Sequence, residues 1–418
     1  MNVRIKPSKL KGIINIPPSK SLSHRAIIAA SLAKGRSIIS NVLLSEDILA
    51  TISGMKALGA SIEINKDTLI IEGSEVTRKE SVIDCNESGS TLRFLIPLAL
   101  CIDEEVTFIG RSRLVKRPLD IYFDLFDKQN IKYEYNENYL PLKINGALKP
   151  GLYKVRGDVS SQFITGLLFT LPLLKGDSTI EITTKLESKG YIDLTIDILN
   201  KYGITIDFNE STINIKGNQS YKPCDYQVEG DYSQSAFYFL ANMFGNDIKL
   251  KGLRDDSYQG DKKIVEDIKA LGGTIYKDND LTWAKPEMLK PATISFSQTP
   301  DLGPALTVLA STISGTSYFV DAERLRIKEC DRITCMKEEL QKLGASIEEE
   351  QDKMIIHGRT LHGGVVDSHN DHRVVMALSM ISTIVNEDLV ITNAESVKKS
   401  YPHFFEDFKS LGGKINYE

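Results

Sequence analysis

The sequence has few cysteines, no long apolar run and no excess of positive charge, and each absence excludes a class of protein. Five cysteines without a Cys-x-x-Cys pair disfavour a disulfide framework and fit a reducing cytoplasm. No apolar stretch reaches the roughly 18 residues of a membrane-spanning helix, and no secretory apolar region follows Met1. The net charge of −5 disfavours a general nucleic-acid surface. We therefore expect a cytoplasmic protein without a membrane or nucleic-acid partner.

Metal ligands in a recognisable spacing are also missing. Cys330 and Cys335 lie close together, but no second pair of ligands accompanies them, which disfavours a zinc site. No Gly-x-x-x-x-Gly-Lys frame of a phosphate-binding loop is present. The 418 residues, 41% hydrophobic and 26% charged, are instead typical of a globular protein with two or three domains.

Six polar or charged clusters recur at intervals of about 70 residues, and each leads into an apolar stretch. Such clusters resemble helix N-caps. Helix starts offer free N–H groups and partial positive charge, so several of them in one cleft predict a site for a multiply anionic small molecule. The clusters are Ser19-Lys20-Ser21, Ser88-Gly89-Ser90, Ser160-Ser161-Gln162, Asp231-Tyr232-Ser233, Asp301-Leu302-Gly303 and Asn370-Asp371-His372.

A second periodic element lies in phase with the first. A glycine ends a helical stretch before a β-rich run, as in a left-handed helix C-cap, and a polar turn with another β-rich run follows. Asn130 replaces the glycine in the second copy, and asparagine is the next residue best able to adopt that conformation. The glycines are Gly59, Gly203, Gly272, Gly344 and Gly412.

The two elements together define a repeat of helix, strand, helix, glycine, strand, turn and strand, which predicts an α/β protein. Its period exceeds that of solenoids, so we expect two compact clusters of three repeats. Chance similarity among the turns is the alternative, which two elements in phase disfavour.

The two halves differ in chemistry at the helix starts. The first three starts carry Ser, Lys and Gln, whereas the last three carry Asp231, Asp301 and Asp371. An aspartate neutralises the helix dipole, and a serine or lysine leaves it available to a ligand. We infer that the first half holds an anionic substrate and the second supplies acid–base and hinge functions. In the alternative all six are ordinary caps, which would leave the basic clusters unexplained.

Basic clusters accompany the helix starts. Nine residues from Arg324 to Arg332 contain four cations and two carboxylates, and the spacing of Lys328 and Arg332 is that of neighbours on a helix face. A salt-bridged helix face is the alternative there. His372 and Arg373 open an apolar helix where the dipole disfavours cations, which suggests that an external anion compensates them.

The clusters, taken in order along the chain, resemble the motif set of the 5-enolpyruvylshikimate-3-phosphate synthase family. The matching segments run from near residue 18 to near residue 402. They are Pro18-Ser19-Lys20-Ser21-Leu22-Ser23-His24-Arg25, Glu87-Ser88-Gly89-Ser90-Thr91-Leu92-Arg93, Arg117-Pro118, Ser160-Ser161-Gln162-Phe163, Arg326-Ile327-Lys328-Glu329-Cys330-Asp331-Arg332, Asp371-His372-Arg373 and Lys399-Ser400-Tyr401-Pro402.

The resemblance implies the enolpyruvyl transferase fold, an inverse-β-barrel-like pair of domains with three βαβαββ repeats each. It places residues 1–18 with 229–418 in domain I, the phosphoenolpyruvate and acid–base side. Residues 19–228 form domain II, the shikimate 3-phosphate side. The implied reaction transfers the enolpyruvyl group of phosphoenolpyruvate to the 5-hydroxyl of shikimate 3-phosphate and releases phosphate. It proceeds by addition and elimination, with no metal and no cofactor, and we expect a monomer.

The resemblance also carries residue roles over to matching positions. Those expected to hold shikimate 3-phosphate are Lys20, Ser21, Arg25, Ser160, Ser161, Gln162, Ser188, Tyr191 and Lys328. Those expected to hold phosphoenolpyruvate are Gly89, Arg117, Gln162, Arg332, Arg373 and Lys399, with Lys20 touching both substrates. His372 is expected among the substrate-binding residues.

The acid–base work falls to three residues. Asp301 is the candidate base that takes the proton of the attacking hydroxyl and also touches substrate. Either Glu329 or Lys20 protonates the methylene carbon, and neighbouring cations should lower the pKa of Glu329. Repulsion between cations of the two halves predicts that the domains close when a dianionic ligand bridges them.

One position departs from the family pattern. Glu87 stands two residues before Gly89, where the family often has asparagine, and its carboxylate either weakens substrate binding or faces away. Gly89 itself has no side chain, which in this family leaves room for glyphosate, so the resemblance implies sensitivity to that inhibitor.

Two rival functions remain open at this point. The sister UDP-N-acetylglucosamine enolpyruvyl transferases share the fold, but they usually have Lys-Asn after the first strand and a cysteine on a mobile loop. Here Ser21 follows Lys20, and the loop with Arg111, Arg113 and Arg117 has no cysteine. A non-catalytic anion-binding protein is the other rival. The presence of Lys20, Asp301, Glu329 and Lys399 in the sequence disfavours it.

Overall fold

Twelve α-helices and twenty-four strands alternate along the chain in a computed structural model that describes residues 1–418. The helices are α1 (Lys20–Leu32), α2 (Glu46–Ala57), α3 (Gly89–Ala99), α4 (Asp120–Gln129), α5 (Ser161–Thr170), α6 (Lys189–Lys201), α7 (Tyr232–Met243), α8 (Ile264–Ala270), α9 (Gly303–Ala310), α10 (Arg332–Gln341), α11 (His372–Ser379) and α12 (Phe404–Ser410).

The strands are short, and most have two to six residues with every second side chain buried. They are β1 (Val3–Lys6), β2 (Lys11–Asn15), β3 (Gly35–Ser40), β4 (Ser61–Asn65), β5 (Thr68–Gly73), β6 (Val82–Asp84), β7 (Val106–Ile109), β8 (Lys132–Tyr135), β9 (Leu142–Asn145), β10 (Leu152–Val155), β11 (Ser178–Ile182), β12 (Ile206–Asn209), β13 (Thr212–Ile215), β14 (Tyr226–Gln227), β15 (Asp247–Lys251), β16 (Gly273–Asp278), β17 (Leu281–Pro286), β18 (Thr293–Ser295), β19 (Thr316–Val320), β20 (Ser346–Glu349), β21 (Met354–His357), β22 (Gly364–Asp367), β23 (Leu389–Thr392) and β24 (Lys414–Tyr417).

Six four-stranded sheets share one strand pattern, in which a parallel pair is extended by two antiparallel strands. In the sheet β6-β7-β9-β8, for example, Ile83 lies opposite Phe108 in the parallel pair, and Val106 lies opposite Ile144 in the antiparallel one. A strand–helix–strand crossover gives the parallel pair, and a hairpin gives the antiparallel pair. The prediction of six α/β repeats is thereby confirmed. The other sheets are β14-β3-β5-β4, β10-β11-β13-β12, β2-β15-β17-β16, β18-β19-β21-β20 and β22-β23-β1-β24.

Strand exchange explains how the chain is divided. Strand β2 precedes α1 but pairs with β15, and β14 takes its place beside β3. Strand β1 completes the sheet of β22, β23 and β24 from the other end of the chain. Two compact units result, the continuous unit (Pro18–Val228) and the discontinuous unit (Met1–Pro17 with Glu229–Glu418).

Five of the six predicted helix starts have the expected cap. Ser19, Ser88 and Ser160 each accept a hydrogen bond from a backbone N–H of the first turn, as do Asp231 and Asp371. Such caps satisfy N–H groups that the helix itself leaves without a partner. The fifth start differs from the prediction, because Asp301 lies inside a 3-10 turn, Pro300–Leu302, and Leu302 is the N-cap of α9. The carboxylate of Asp301 is thus available for other contacts.

The predicted left-handed positions after the helices are confirmed. The φ angle of Asn130 is 57° and that of Gly344 is 93°, so asparagine takes in the second repeat the conformation that glycine takes elsewhere. Polar turns join the following strands, and Lys66 between β4 and β5 has a φ angle of 56°.

The helices that open the repeats lie inside the two units. Helix α3 packs against α5 in the continuous unit, and α9 packs against α7 and α11 in the discontinuous unit. These helices are apolar on most sides, and nearly all their residues are buried. None of the twelve helices combines the length and the apolar character that a membrane span requires.

Cys330 and Cys335 have a structural position at the start of α10. Asp331 caps this helix, so Cys330 precedes the cap and Cys335 is the fourth helical residue. Apolar residues at these two positions often pack together and set the direction in which the chain enters the helix. Both thiols are buried and free, and the contact with Cys335 together with burial raises the pKa of Cys330.

Candidate functional site

Lys20 begins α1 in the continuous unit, where its ammonium group is held by a carboxylate. Its Nζ lies 2.8 Å from Oδ2 of Asp47, in the first turn of α2. The side chains of the pair are 16% and 10% exposed, so solvent screens their attraction less than at an open surface. The sequence analysis did not identify Asp47, because an acidic residue in a first helical turn is ordinary dipole compensation.

Arg25 is held by neutral groups alone. Its guanidinium donates to the hydroxyl of Thr195 and to the backbone carbonyls of Ser21 and Tyr191, at 2.8 to 3.1 Å. It also lies 5.3 Å from the ring centre of Phe94. Burial lowers the pKa of Arg25 to about 10. An anion beside this cation would supply charge that the protein itself does not.

A chain of hydrogen-bonded buried side chains links the first three helices. Nδ1 of His24 lies 2.7 Å from the hydroxyl of Thr51, which lies 2.6 Å from the hydroxyl of Thr91. Thr91 in turn donates to Ser88, the cap of α3, at 2.8 Å. Burial lowers the pKa of His24 well below its usual value, and Lys20 and Arg25 lower it further, so the ring is neutral. This network fixes the backbone around Gly89.

Gly89 packs directly under the guanidinium of Arg117. A Cβ atom at Gly89 would lie 2.5 Å from one terminal nitrogen of Arg117 and 2.9 Å from its central carbon. Arg117 follows a 3-10 turn, Ser112–Lys116, and is 9% exposed. The absence of a side chain at Gly89 therefore sets where this cation lies.

Gln162 in the first turn of α5 is oriented from both sides. Its Oε1 accepts from Arg93 at 2.9 Å, so its Nε2 is the donor, and it donates to Ser90 at 2.9 Å. Arg93 also donates to the carbonyl of Pro118 and lies 4.8 Å from the ring centre of Phe163. Arg93 and Ser90 thus orient Gln162, one of the predicted binding residues, a role that the sequence analysis did not assign to them.

The remaining predicted residues of the continuous unit lie at the starts of two helices. Ser160 caps α5 and Ser161 is its first residue. Ser188 precedes α6 with a φ angle of 55°, and Tyr191 lies in the first turn, with its ring 5.8 Å from the guanidinium carbon of Arg25. These contacts connect Tyr191 to the same part of the unit as Arg25.

Glu87, the departure from the family pattern, contacts the neighbouring loop. Its Oε1 accepts from the hydroxyl of Ser112 at 2.8 Å. Arg111, in the same loop, pairs with Asp84. Both interactions tie the loop that leads to Arg117 to the segment before α3.

The centre of the discontinuous unit is Arg332, the first residue of α10, which is 1% exposed. It donates to Asp371 from Nε at 2.7 Å, to Asp301 from one terminal nitrogen at 2.9 Å and to Glu329 from the other at 2.7 Å. Burial alone lowers the pKa of Arg332, but the three carboxylates raise it well above its usual value. Three buried or half-buried acids are therefore organised around one cation.

Asp301 is the residue on which the cations of this unit converge. One carboxylate oxygen accepts from Arg332 and lies 3.3 Å from Nζ of Lys328, and the other accepts from Arg373 at 3.0 Å. This arrangement holds a carboxylate in a fixed orientation without using it as a helix cap. A base that abstracts a proton needs such fixed placement.

Lys328 and Arg332 both contact Asp301. Contrary to the prediction, they do not lie on one helix face. Lys328 has an extended backbone after the 3-10 turn Glu323–Ile327, and the helix begins only at Arg332 because Asp331 is its cap. Burial lowers the pKa of Lys328 to about 8, although Asp301 opposes that shift.

The start of α11 differs from the expectation that an external anion compensates its cations. Asp371 caps the helix and pairs with Arg332, and the Asp301 carboxylate pairs with Arg373. His372 is buried at the first position. Lys399 donates to the backbone carbonyl of Asn370 at 2.6 Å. The protein's own carboxylates and carbonyl thus hold these cations in place.

Arg326, part of the same basic segment, has a structural role. It donates to the carboxylates of Asp331 and Glu349 and to the carbonyls of Glu350 and Gln351. These contacts tie the turn to the hairpin of β20 and β21. Arg326 is thus ion-paired as the alternative expected, but it lies in the 3-10 turn Glu323–Ile327 and not on a helix face.

Comparison with known proteins identifies the family of the chain. The model of the family EPSP synthase (3-phosphoshikimate 1-carboxyvinyltransferase) matches residues 5–408. The chain belongs to the EPSP synthase family. A 3-phosphoshikimate 1-carboxyvinyltransferase of Clostridium perfringens (strain SM101 / Type A) is 54% identical over 421 residues, covering 100% of this chain and 99% of that protein. One of Clostridioides difficile (strain 630) is 50% identical over 429 residues, covering 99% and 98%.

Solved structures agree with the fold of the EPSP synthase family. The EPSP synthase of Acinetobacter baumannii superposes with a TM-score of 0.83 at 24% identity and covers both chains fully. The enolpyruvyl transferase NikO of Streptomyces tendae superposes with a TM-score of 0.81 at 16% identity, over 100% of this chain and 98% of that one. The predicted enolpyruvyl transferase fold is confirmed.

Proposed function

We propose that the chain transfers the enolpyruvyl group of phosphoenolpyruvate to the 5-hydroxyl of shikimate 3-phosphate and releases phosphate. It is a 3-phosphoshikimate 1-carboxyvinyltransferase of the shikimate pathway, and its full-length identity to curated enzymes of that activity carries this conclusion. The cation-held carboxylate of Asp301 is the geometric feature that suits the chemistry.

The continuous unit supplies the groups for shikimate 3-phosphate. The proposed contact of Arg25 with this substrate is supported because Arg25 is a buried cation whose partners are neutral. The N-terminal residues of α1 and α5 provide hydroxyls and backbone N–H groups, which favour a phosphate. The proposed contacts are Lys20, Ser21, Arg25, Ser160, Ser161, Gln162, Ser188 and Tyr191, with Lys328 from the discontinuous unit.

Phosphoenolpyruvate is held by cations with defined supports. Arg117 lies against Gly89, Arg332 is oriented by three carboxylates, and Lys399 is oriented by a carbonyl. Fixed cations can stabilise the phosphate and carboxylate groups of this substrate without reorganising during the reaction. Gln162, Arg373 and His372 complete the proposed set.

The addition step forms a C–O bond between the 5-hydroxyl oxygen and C2 of phosphoenolpyruvate. Asp301 takes the hydroxyl proton, and Glu329 or Lys20 gives a proton to the methylene carbon, which becomes a methyl group. Elimination then removes a methyl proton and breaks the C–O bond to phosphate. The contact of Glu329 with Arg332 supports its placement near Asp301.

Several expectations stay predictions. They are closure of the domains around a dianionic ligand, the monomeric state, the cytoplasmic location and sensitivity to glyphosate. The absence of the sister enzymes' loop cysteine supports shikimate 3-phosphate over a nucleotide sugar as the acceptor.

A coupled phosphate-release assay tests the proposed function. The purified chain should release phosphate from phosphoenolpyruvate with shikimate 3-phosphate, and no faster than the background with UDP-N-acetylglucosamine. Phosphate release with UDP-N-acetylglucosamine but not with shikimate 3-phosphate as the acceptor would assign the chain to the sister activity. No release with either acceptor, from a protein that unfolds cooperatively, would support a binding protein.

A further inference from the structure

The turn before α11 contains two consecutive residues in the left-handed region. The φ angles are 50° for His369 and 57° for Asn370, and the other non-glycine residues with positive φ are isolated along the chain. Such a conformation costs free energy at any residue with a Cβ, and it persists only where surrounding contacts impose it.

Two consecutive residues of this turn contact cations of the discontinuous unit, Lys399 and Arg332. The carbonyl of Asn370 accepts from Lys399 at 2.6 Å. The next residue, Asp371, accepts from Arg332 and caps α11. The backbone conformation at His369 and Asn370 thus sets the positions of two cations proposed to bind phosphoenolpyruvate.

Glu339, two turns after Arg332 on α10, holds the other side of the turn. It is 1% exposed, although a glutamate is seldom fully buried without partners. Its Oε1 lies 2.7 Å from Nε2 of His369, and its Oε2 accepts from the backbone N–H of Asp367 at 2.8 Å. Lys342 pairs with both oxygens from the solvent side at 2.7 and 2.8 Å.

The turn is therefore pinned to α10 at two points. Glu339 holds its beginning through Asp367 and His369, and Arg332 holds its end through Asp371. Ser368, between these points, donates to the carbonyl of Asn393 at 2.9 Å. The contact between His369 and Glu339 ties a left-handed residue itself to α10, and it adds to the hydrogen bonds within the turn, in which the N–H of His369 donates to Asp367 and that of Asn370 donates to Ser368.

We propose that His369 and Glu339 are positioning residues for phosphoenolpyruvate, because they hold the left-handed turn that aims Asn370 at Lys399 and Asp371 at Arg332. Neither touches the substrate, so they act only through these two cations. The inference rests on the proposed function, since that function assigns the two cations to phosphoenolpyruvate.

The variant His369→Asn tests the proposal without disturbing the backbone preference. Asparagine tolerates the left-handed region, but its side chain is too short to reach Glu339. We expect KM for phosphoenolpyruvate to rise about tenfold while KM for shikimate 3-phosphate stays within about twofold. His369→Gln, which can reach Glu339 with an amide nitrogen, should restore most of the loss.

A matched control comes from another histidine–glutamate pair of the discontinuous unit. Nε2 of His357 lies 3.0 Å from Glu348 on an exposed hairpin, so His357→Ala should leave both KM values unchanged. Glu339→Ala, which removes both hydrogen-bond acceptors, should repeat the loss in a second residue when phosphoenolpyruvate binding is measured in the presence of shikimate 3-phosphate.

Two results would overturn the proposal. One is an unchanged KM for phosphoenolpyruvate in His369→Asn and in Glu339→Ala. The other is an equal rise in both KM values with a lower melting temperature, which indicates a purely structural role. If the unmodified chain shows no turnover with shikimate 3-phosphate, the proposed function fails instead, and that outcome is separate.

Discussion

Buried arginines of the two units are held by different kinds of partner. In the continuous unit, Arg25 donates to carbonyls and a hydroxyl, and Arg93 donates to an amide and a carbonyl. In the discontinuous unit, Arg332 is surrounded by three carboxylates. Neutral partners leave the charge of Arg25 without a compensating carboxylate, whereas the three carboxylates compensate the charge of Arg332 and are themselves held in fixed positions.

The comparison shows that similar basic motifs in one chain can have distinct purposes. A buried charge is costly unless it is paired, so each unit must compensate its cations in some way. The sequence analysis anticipated repulsion among cations, but the cations of the discontinuous unit are already compensated within it. The predicted domain closure would therefore need a cause other than repulsion among the cations of that unit.

The largest expected effect comes from removing the shared carboxylate of the discontinuous unit. In Asp301→Asn the side chain keeps its size but can no longer act as a base, so kcat should fall about 10²- to 10⁴-fold, with a smaller change in KM. Asp301→Ala should lower kcat at least as much. Steady-state kinetics with both substrates measure the effect.

Asp256 offers a control for that prediction. It pairs with Arg254 at 2.7 Å at an exposed site, so Asp256→Asn should keep full activity. An unchanged kcat in Asp301→Asn would remove Asp301 from the chemistry, and the contrast between the two units would then be one of charge balance alone.

A smaller effect is expected from adding a methyl group in the continuous unit. The Cβ of Gly89→Ala would overlap the guanidinium of Arg117, which is the mobile end of a flexible side chain and can shift. We expect KM for phosphoenolpyruvate to rise about tenfold, while the melting temperature changes by less than about 3 °C. Kinetics and calorimetry of the same sample check both values. A large loss of stability with unchanged KM would show that Gly89 serves packing and not the placement of Arg117.

The smallest effect concerns pH. Because burial lowers the pKa of Lys328 to about 8, its charge is present below that pH and is lost above it. If Lys328 holds an anionic substrate, KM for shikimate 3-phosphate should rise by up to about tenfold between pH 7 and pH 9. Lys328→Arg keeps its charge throughout and should flatten the profile. An equally steep profile in Lys328→Arg would assign the titration to another group.

The repeat could be predicted from sequence because its signals are local. A serine before an apolar stretch predicted the cap at Ser88, and an asparagine in place of glycine predicted the left-handed residue Asn130. The start of α10 could also have been predicted from the sequence, since Asp331 is a good cap and places Lys328 outside the helix. The prediction that Lys328 and Arg332 share a helix face did not take this cap into account.

The pairing within the site could not be predicted in the same way. Asp301 and Arg373 are 72 residues apart, and Arg332 and Asp371 are 39 apart, so tertiary packing alone decides which carboxylate meets which cation. Asp47 and Glu339 carry no local signal, because acidic residues on helices are usually solvated. Resemblance to a family indicated the ligand-binding positions, and the structure added the residues that support them.

The exchange of β2 with β14 and the placement of β1 have a consequence for synthesis on the ribosome. Val3 and Ile5, which are fully buried in the finished fold, are made long before their partner strands β23 and β24. At a synthesis rate of about 5–20 residues per second, this apolar segment stays unpaired for roughly 20 to 80 s before β23 and β24 are made. Meanwhile Pro18–Val228 can fold first, since β14 closes its sheet. Lys6, Lys9 and Lys11 flank the waiting strands with charge, the kind of residue that discourages an unpaired strand from joining a neighbouring nascent chain.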